Sequence, residues 1–149
     1  MEFYLARHGE AVADLIDPQR PLAPAGRESV RRVACLAAEK GVHVTVIYHS
    51  GILRAGQTAD IFAQHLTPDD GVRPMPGLYP EDDPALAAAE LAVARNPLML
   101  VGHLPHLNRL ASLLSCGDPD KKAMDFAPAT MACYAREGEL WTLNWTIAP

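Results

Sequence analysis

The sequence predicts a three-layer α/β/α domain, with a mostly parallel mixed sheet flanked by helices. Three observations lead there. Short apolar runs alternate with amphipathic segments, the order that builds parallel strands joined by crossover helices. Three of those runs end in histidine-bearing polar motifs at Arg7-His8-Gly9, His49-Ser50 and Gly102-His103. The chain then closes with two strand-like segments around Glu137-Gly138-Glu139, a terminal hairpin that makes the sheet mixed.

The first strand covers about residues 2–6, where Phe3-Tyr4-Leu5-Ala6 is continuously apolar. Gly9 lets the backbone turn sharply behind it or lets a ligand approach closely. Residues 11–25 are a polar connection containing Pro18, Pro21 and Pro24. Gly26 to Lys40 reads as a helix, because Val30, Val33, Ala34 and Ala37 fall on one face; Gly41 ends it. Residues 42–48 form the second strand by β-branched content, and Ser50 is placed to cap the next helix. That helix runs from Leu53 to Leu66, with Ala55, Thr58, Ala59, Phe62 and Leu66 along one side. Residues 72–84 are rich in proline and read as turns. Asp82 or Asp83 precedes a third, alanine-rich helix from about Pro84 to Ala94. Leu98 to Val101 is a continuous apolar strand. Pro105 suits the first turn of a fourth helix, whose buried face holds Leu107, Leu110, Ala111 and Leu114. Residues 117–127 are irregular, and residues 129–135 and 140–146 make the hairpin.

With 149 residues, no internal repeat and no dividing linker, the chain is one domain, residues 1–149. A net charge of −5 argues against a broad nucleic-acid footprint, though it leaves room for a local cationic pocket. No window approaches the ~20 apolar residues that span a bilayer, so no membrane association is expected and cytoplasm is the expected compartment. Cys35, Cys116 and Cys133 are far apart and form no CxxC pair, which argues against a zinc knuckle or a redox dithiol.

The chemistry follows from where the polar motifs fall. If the three strands are parallel, Arg7, His8, His49, Ser50, Arg54 and His103 meet at one end of the sheet. Packed cations repel one another, so such a cleft calls for an anion. Phosphate or a similar oxyanion is the natural ligand, since guanidinium donors match its paired oxygens and helix starts add backbone N–H groups.

These residues also carry a family resemblance. Leu5-Ala6-Arg7-His8-Gly9-Glu10-Ala11 resembles the Arg-His-Gly signature of the histidine phosphatase superfamily, which has the phosphoglycerate mutase-like fold. His49-Ser50-Gly51-Ile52-Leu53-Arg54-Ala55-Gly56-Gln57-Thr58 is similar to its second motif, and Val101-Gly102-His103 to its late Gly-His pair. Asp17 to Gly26 and the closing Leu143-Asn144-Trp145 resemble the SixA-type phosphohistidine phosphatases, with Ala23 where a threonine is common. The resemblance implies that His8 is the nucleophile and that Arg7, Arg54 and His103 bind the phosphoryl group. It implies a covalent phosphohistidine intermediate, no cofactor and no metal.

The general acid is where the chain departs from larger members of the superfamily. Its candidates are Glu81, Asp82 and Asp83, and little room exists between Thr58 and Pro97 for the usual inserted structure. A weak acid system favours a labile P–N bond, because a protonated imidazole leaves more readily than an alkoxide. Phosphohistidine on a signalling or phosphotransfer protein is therefore the expected substrate. Glu10, Arg20, His49, Ser50 and His106 are expected around the mouth. Two alternatives stand beside this one: a small-molecule phosphatase or mutase of the same superfamily, and a non-catalytic phosphohistidine-binding module. A metal hydrolase based on His103 and His106 would want nearby carboxylates.

Overall fold

The computed structural model describes residues 1–149. Strand β1 spans Glu2–Arg7 and alternates its side chains between two cores. Tyr4 and Ala6 enter one core; Phe3 and Leu5 enter the other. The remaining strands are β2 (Val46–His49), β3 (Val72–Pro74), β4 (Leu98–Gly102), β5 (Met131–Glu137) and β6 (Leu140–Ile147). The helices are α1 (Pro24–Glu39), α2 (Leu53–Leu66), α3 (Pro84–Val93) and α4 (His106–Cys116).

One six-stranded sheet has the order β3-β2-β4-β1-β5-β6. The pairs β1–β4, β4–β2 and β2–β3 are parallel, whereas β5 runs antiparallel to β1 and β6 to β5. Apolar faces of α1 and α2 pack on one side of the sheet, with Val30, Val33, Ala34, Ala59 and Phe62 among the fully buried residues. On the other side α3 and α4 contribute Ala87, Leu91, Leu107, Leu110 and Ala111. The architecture is the α/β/α sandwich with a mixed, mostly parallel sheet that the alternation predicts.

Register positions the site. Arg7 lies opposite Gly102, and His49 lies opposite Val101. The carboxyl ends of β1, β4 and β2 are thus adjacent and level. His8, His103 and Ser50 follow those ends by a single residue each.

Four details differ from the sequence expectation. Ladder pairing of β2 begins at Val46 rather than residue 42; Val42 and Val44 are buried but enter no ladder. The proline-rich stretch opens with a strand, β3, at the sheet edge. Pro74 is tolerated there because an edge strand leaves one row of N–H positions without a partner. Gly9 makes no left-handed turn. A Cβ there would sit 2.8 Å from Val30 Cγ2 and 2.9 Å from the Gly26 carbonyl oxygen, so the glycine permits close approach of β1 to α1. Ile52, not Ser50, is the N-cap residue of α2.

Candidate active site

His8 is buried beyond the end of β1, and its Nδ1 lies 2.7 Å from the carbonyl oxygen of Gly9. A carbonyl can only accept, so Nδ1 carries the proton and Nε2 keeps its lone pair. That acceptor is invisible in the motif, because it is backbone. The neighbouring Gly9 N–H donates to Thr58 Oγ1 at 3.1 Å, and the Thr58 hydroxyl donates in turn to the Arg54 carbonyl at 2.8 Å. Gln57 Oε1 accepts from the Leu22 N–H at 2.8 Å, tying the 11–22 loop to α2. Gln57 and Thr58 were visible in the sequence as motif members, but only the tertiary contacts reveal what they brace.

Arg7 donates through Nη1 to the carbonyl of Phe126 at 2.9 Å, which anchors one side of its guanidinium. Arg54 is the second residue of α2. His103 is almost wholly buried after β4, and its Nε2 lies 2.6 Å from Ser50 Oγ. The His8 and His103 rings are 5.0 Å apart between centroids. Arg7 Nε, Arg54 Nε and His103 Nδ1 are all buried without a protein partner. Two guanidinium groups and two imidazoles thus gather where parallel strands end.

Electrostatics match this geometry. Burial pushes the His8 imidazole down to about 4; the Gly9 carbonyl opposes the shift, while Arg54, Arg7 and Arg20 add to it. Burial also drives His103 down to about 3, helped by His8, Arg54, His106 and Arg7. Both rings are therefore neutral at neutral pH. Burial lowers Arg7 and Arg54 as well, yet guanidinium groups remain charged. The pocket thus joins two neutral imidazoles to two fixed cations.

The outlying residues divide. Arg20, in a left-handed conformation (φ 48°), donates through Nε to the Val12 carbonyl at 3.2 Å and lies near enough to His8 and Arg54 to repel their protonated forms. Glu10 is exposed, and its carbonyl accepts from the Ala23 N–H. His49 serves the backbone: its Nδ1 accepts from the Gly51 N–H at 3.0 Å, and its ring lies against Gly56. His106 is not at the mouth. It has no exposed surface, because α4 begins there and folds the ring beneath the 77–83 loop. Asp83 caps α3, its Oδ1 accepting from the Ala85 N–H at 3.0 Å. Glu81 is exposed. Asp82 alone of the three acids lines a cavity of about 480 Å³, which it shares with Ser50 and the 74–79 segment. No group of three or more His, Cys, Asp or Glu side chains is placed to hold a metal ion.

Comparison with known proteins extends this arrangement. The model of the histidine phosphatase superfamily (branch 1) matches residues 3–79. An uncharacterised protein of Picosynechococcus sp. is 37% identical over 125 residues, covering 78% of this chain and 74% of its own. A solved structure of the protein histidine phosphatase SixA complexed with tungstate superposes with a TM-score of 0.87 at 26% identity, over 99% of this chain and 97% of that one. A candidate phosphohistidine phosphatase SixA from Agrobacterium tumefaciens gives a TM-score of 0.81 at 22% identity, over 99% and 97%. A candidate α-ribazole-5′-phosphate phosphatase from Escherichia coli shares the fold, with a TM-score of 0.80 at 16% identity over 97% and 94%. A matched region that runs from the first strand to the loop holding Asp82 contains both the Arg-His-Gly turn and the Ser50–Thr58 segment, and with it the chain belongs to the histidine phosphatase superfamily, branch 1, as an enzyme of the phosphatase class.

Proposed function

We propose that this protein removes the phosphoryl group from a histidine-phosphorylated protein, through a covalent intermediate on His8. The observation that carries the chemistry is the 2.7 Å contact between His8 Nδ1 and the Gly9 carbonyl. It leaves Nε2 as an uncharged nucleophile directed by a fixed tautomer. In the first step the Nε2 lone pair forms a bond to phosphorus, and the P–N bond of the substrate breaks. Its electron pair returns to the leaving imidazole, which departs neutral because its other nitrogen already carries a proton. Phosphorylated His8 then has a cationic ring, whose Nδ1–H donates to the Gly9 carbonyl. Water attacks phosphorus next, the P–Nε2 bond breaks with its electron pair returning to Nε2, and both of the water's protons leave with the product as dihydrogen phosphate. His8 is regenerated in its starting tautomer. Arg7, Arg54 and His103 act on the equatorial oxygens, where charge builds during in-line transfer.

The substrate class rests on the acids. With Asp83 occupied at the start of α3 and Glu81 exposed, only Asp82 faces the cavity beside Ser50, and its Oδ2 accepts from the Tyr79 N–H at 2.8 Å. A P–O ester needs a proton delivered to its leaving oxygen, whereas phosphohistidine does not. Leu15 and Ile16 support a protein substrate. They are 97% and 80% exposed on the loop that carries Arg20 toward the pocket, an apolar pair available to a partner surface. Likeness to the protein histidine phosphatase SixA points the same way.

The cavity placement of Asp82 favours a second reading, in which that carboxyl protonates the alkoxide of a small phosphomonoester. Side-by-side turnover of a phosphohistidine protein, free phosphohistidine and several phosphomonoesters separates the two. The phosphohistidine protein is expected to give the highest kcat/KM, and Asp82→Asn to change it less than His8→Ala does. Preference for a phosphomonoester that is lost in Asp82→Asn would establish the second reading instead.

A further inference from the structure

We propose that Ser50 is a positioning residue that holds His103 as its Nδ1–H tautomer, so that the pocket gains an uncharged N–H donor for the phosphoryl group. This rests on the phosphatase reading of the pocket and adds a device to it.

The hydrogen bonds around Ser50 give the direction. Its hydroxyl oxygen accepts from the Ile52 N–H at 3.2 Å, a donor that cannot reverse. The hydroxyl has one proton of its own to place, and Ser50 is buried. His103 Nε2, at 2.6 Å, is the acceptor it meets. If Ser50 donates to Nε2, that nitrogen is unprotonated and the ring proton sits on Nδ1. The reverse arrangement would have Nε2–H donate to Ser50. The hydroxyl proton would then have no protein acceptor, and a bare lone pair at Nδ1 would meet the oxyanion. The doubly protonated ring is disfavoured by burial and by His8, Arg54 and Arg7.

His103 Nδ1 is buried and has no protein partner, as are Arg7 Nε and Arg54 Nε. As an N–H, Nδ1 joins the two guanidinium groups as a third donor to one oxyanion without adding a third charge. A neutral donor also spares His8 the repulsion that a second imidazolium 5.0 Å away would impose on its cationic phosphoenzyme. Ser50 sits at the end of β2 and His103 at the end of β4, so the parallel β2–β4 pairing is what makes this contact.

Nitrogen-15 NMR of the histidine rings tests the idea without any substrate. The His103 signals are assigned by their loss in His103→Gln. At neutral pH the wild-type protein is expected to show a protonated Nδ1 and an unprotonated Nε2 at His103. Ser50→Ala should convert this to a mixture of tautomers and lower kcat/KM about tenfold or more with phosphohistidine, as loss of an ordered buried hydrogen bond does. Ser50→Thr, which keeps the hydroxyl, should restore both; thermal melting confirms that each variant is folded. An Nε2–H ring in the wild type, or a tautomer and kcat/KM unchanged in folded Ser50→Ala, overturns the proposal. Either result leaves the phosphatase reading standing. That reading fails separately if the wild-type protein turns over no phosphoryl substrate.

Discussion

At the residue scale, the pocket obtains reactivity by removing charge from its imidazoles and keeping it on its arginines. His8 is held near 4 chiefly by burial, against an ordinary value of 6.5. An imidazole attacks only when neutral, so the free enzyme's kcat/KM should hold from neutral pH down toward about 4 and fall below it. Loss beginning near 6.5 would show that burial does not depress this ring. His8→Ala should abolish turnover and remove the acid-labile phosphoryl group that rapid quenching and mass spectrometry would otherwise find on His8. Label trapped reproducibly on His103 instead would reverse the two roles. Arg54→Ala should lower kcat as well as anion affinity, with a loss on the order of 3 kcal/mol in transition-state stabilisation, typical of one strong oxyanion donor. An unchanged kcat/KM would show that Arg54 lies outside the chemistry.

At the scale of elements, one close contact holds a wall of the pocket and a second fastens the far end of the sheet. Gly26 in the first turn of α1 meets the backbone of Glu10, and a Cβ there would lie 2.0 Å from the Glu10 carbonyl oxygen. Backbone cannot move aside as a flexible side chain can. Gly26→Ala should therefore cost about 2–3 kcal/mol of stability by overpacking and should weaken phosphate binding through His8 and Gly9, which precede Glu10. Denaturant unfolding and phosphate titration measure the two effects. On the opposite face, Arg136 of β5 donates to the carbonyls of Leu91, Ala92 and Ala94 at the end of α3, and its guanidinium lies 4.9 Å over the Phe3 ring. A cation placed on the last carbonyls of a helix stabilises its negative end. Arg136→Ala is expected to lower stability by about 1–3 kcal/mol with little change in kcat, because α3 packs away from His8. Full stability in that variant would show the clasp to be dispensable. Elements of this kind are partly readable in the chain: amphipathic spacing marks α1, α2 and α4, while β3 is hidden by prolines that only its edge position permits.

Across the whole molecule, the buried histidines couple the pocket to acid stability. In the unfolded chain His8 binds a proton near 6.5, whereas in the folded protein it does so only near 4. Between those values the unfolded state holds more protons, so stability falls as pH drops through that window. For His8 the shift corresponds to on the order of 3 kcal/mol, and His103 acts in the same direction. Urea unfolding from neutral pH toward pH ~4 should show this loss, with a shallower dependence in His8→Ala. Equal slopes in the two proteins would mean that His8 is not desolvated by folding.

The sequence by itself determined the α/β/α class, the three strand-end motifs and the identity of His8, Arg7, Arg54 and His103 as the groups to watch. It could do so because alternating apolar periodicity and short motifs are local properties of the chain. Local patterns of this kind carried no comparable sign of what the tertiary structure alone decided. That list comprises the Gly9 carbonyl behind His8, the Phe126 carbonyl under Arg7, the Ser50–His103 contact, the burial of His106 and the commitment of Asp83 to α3. These depend on backbone atoms and on partners as much as 119 residues away along the chain. A backbone carbonyl carries no residue identity, and strand order places the ends of β2 and β1 on either side of β4 only after the whole sheet has formed. The contacts of both pocket imidazoles are consequently a property of the folded sheet.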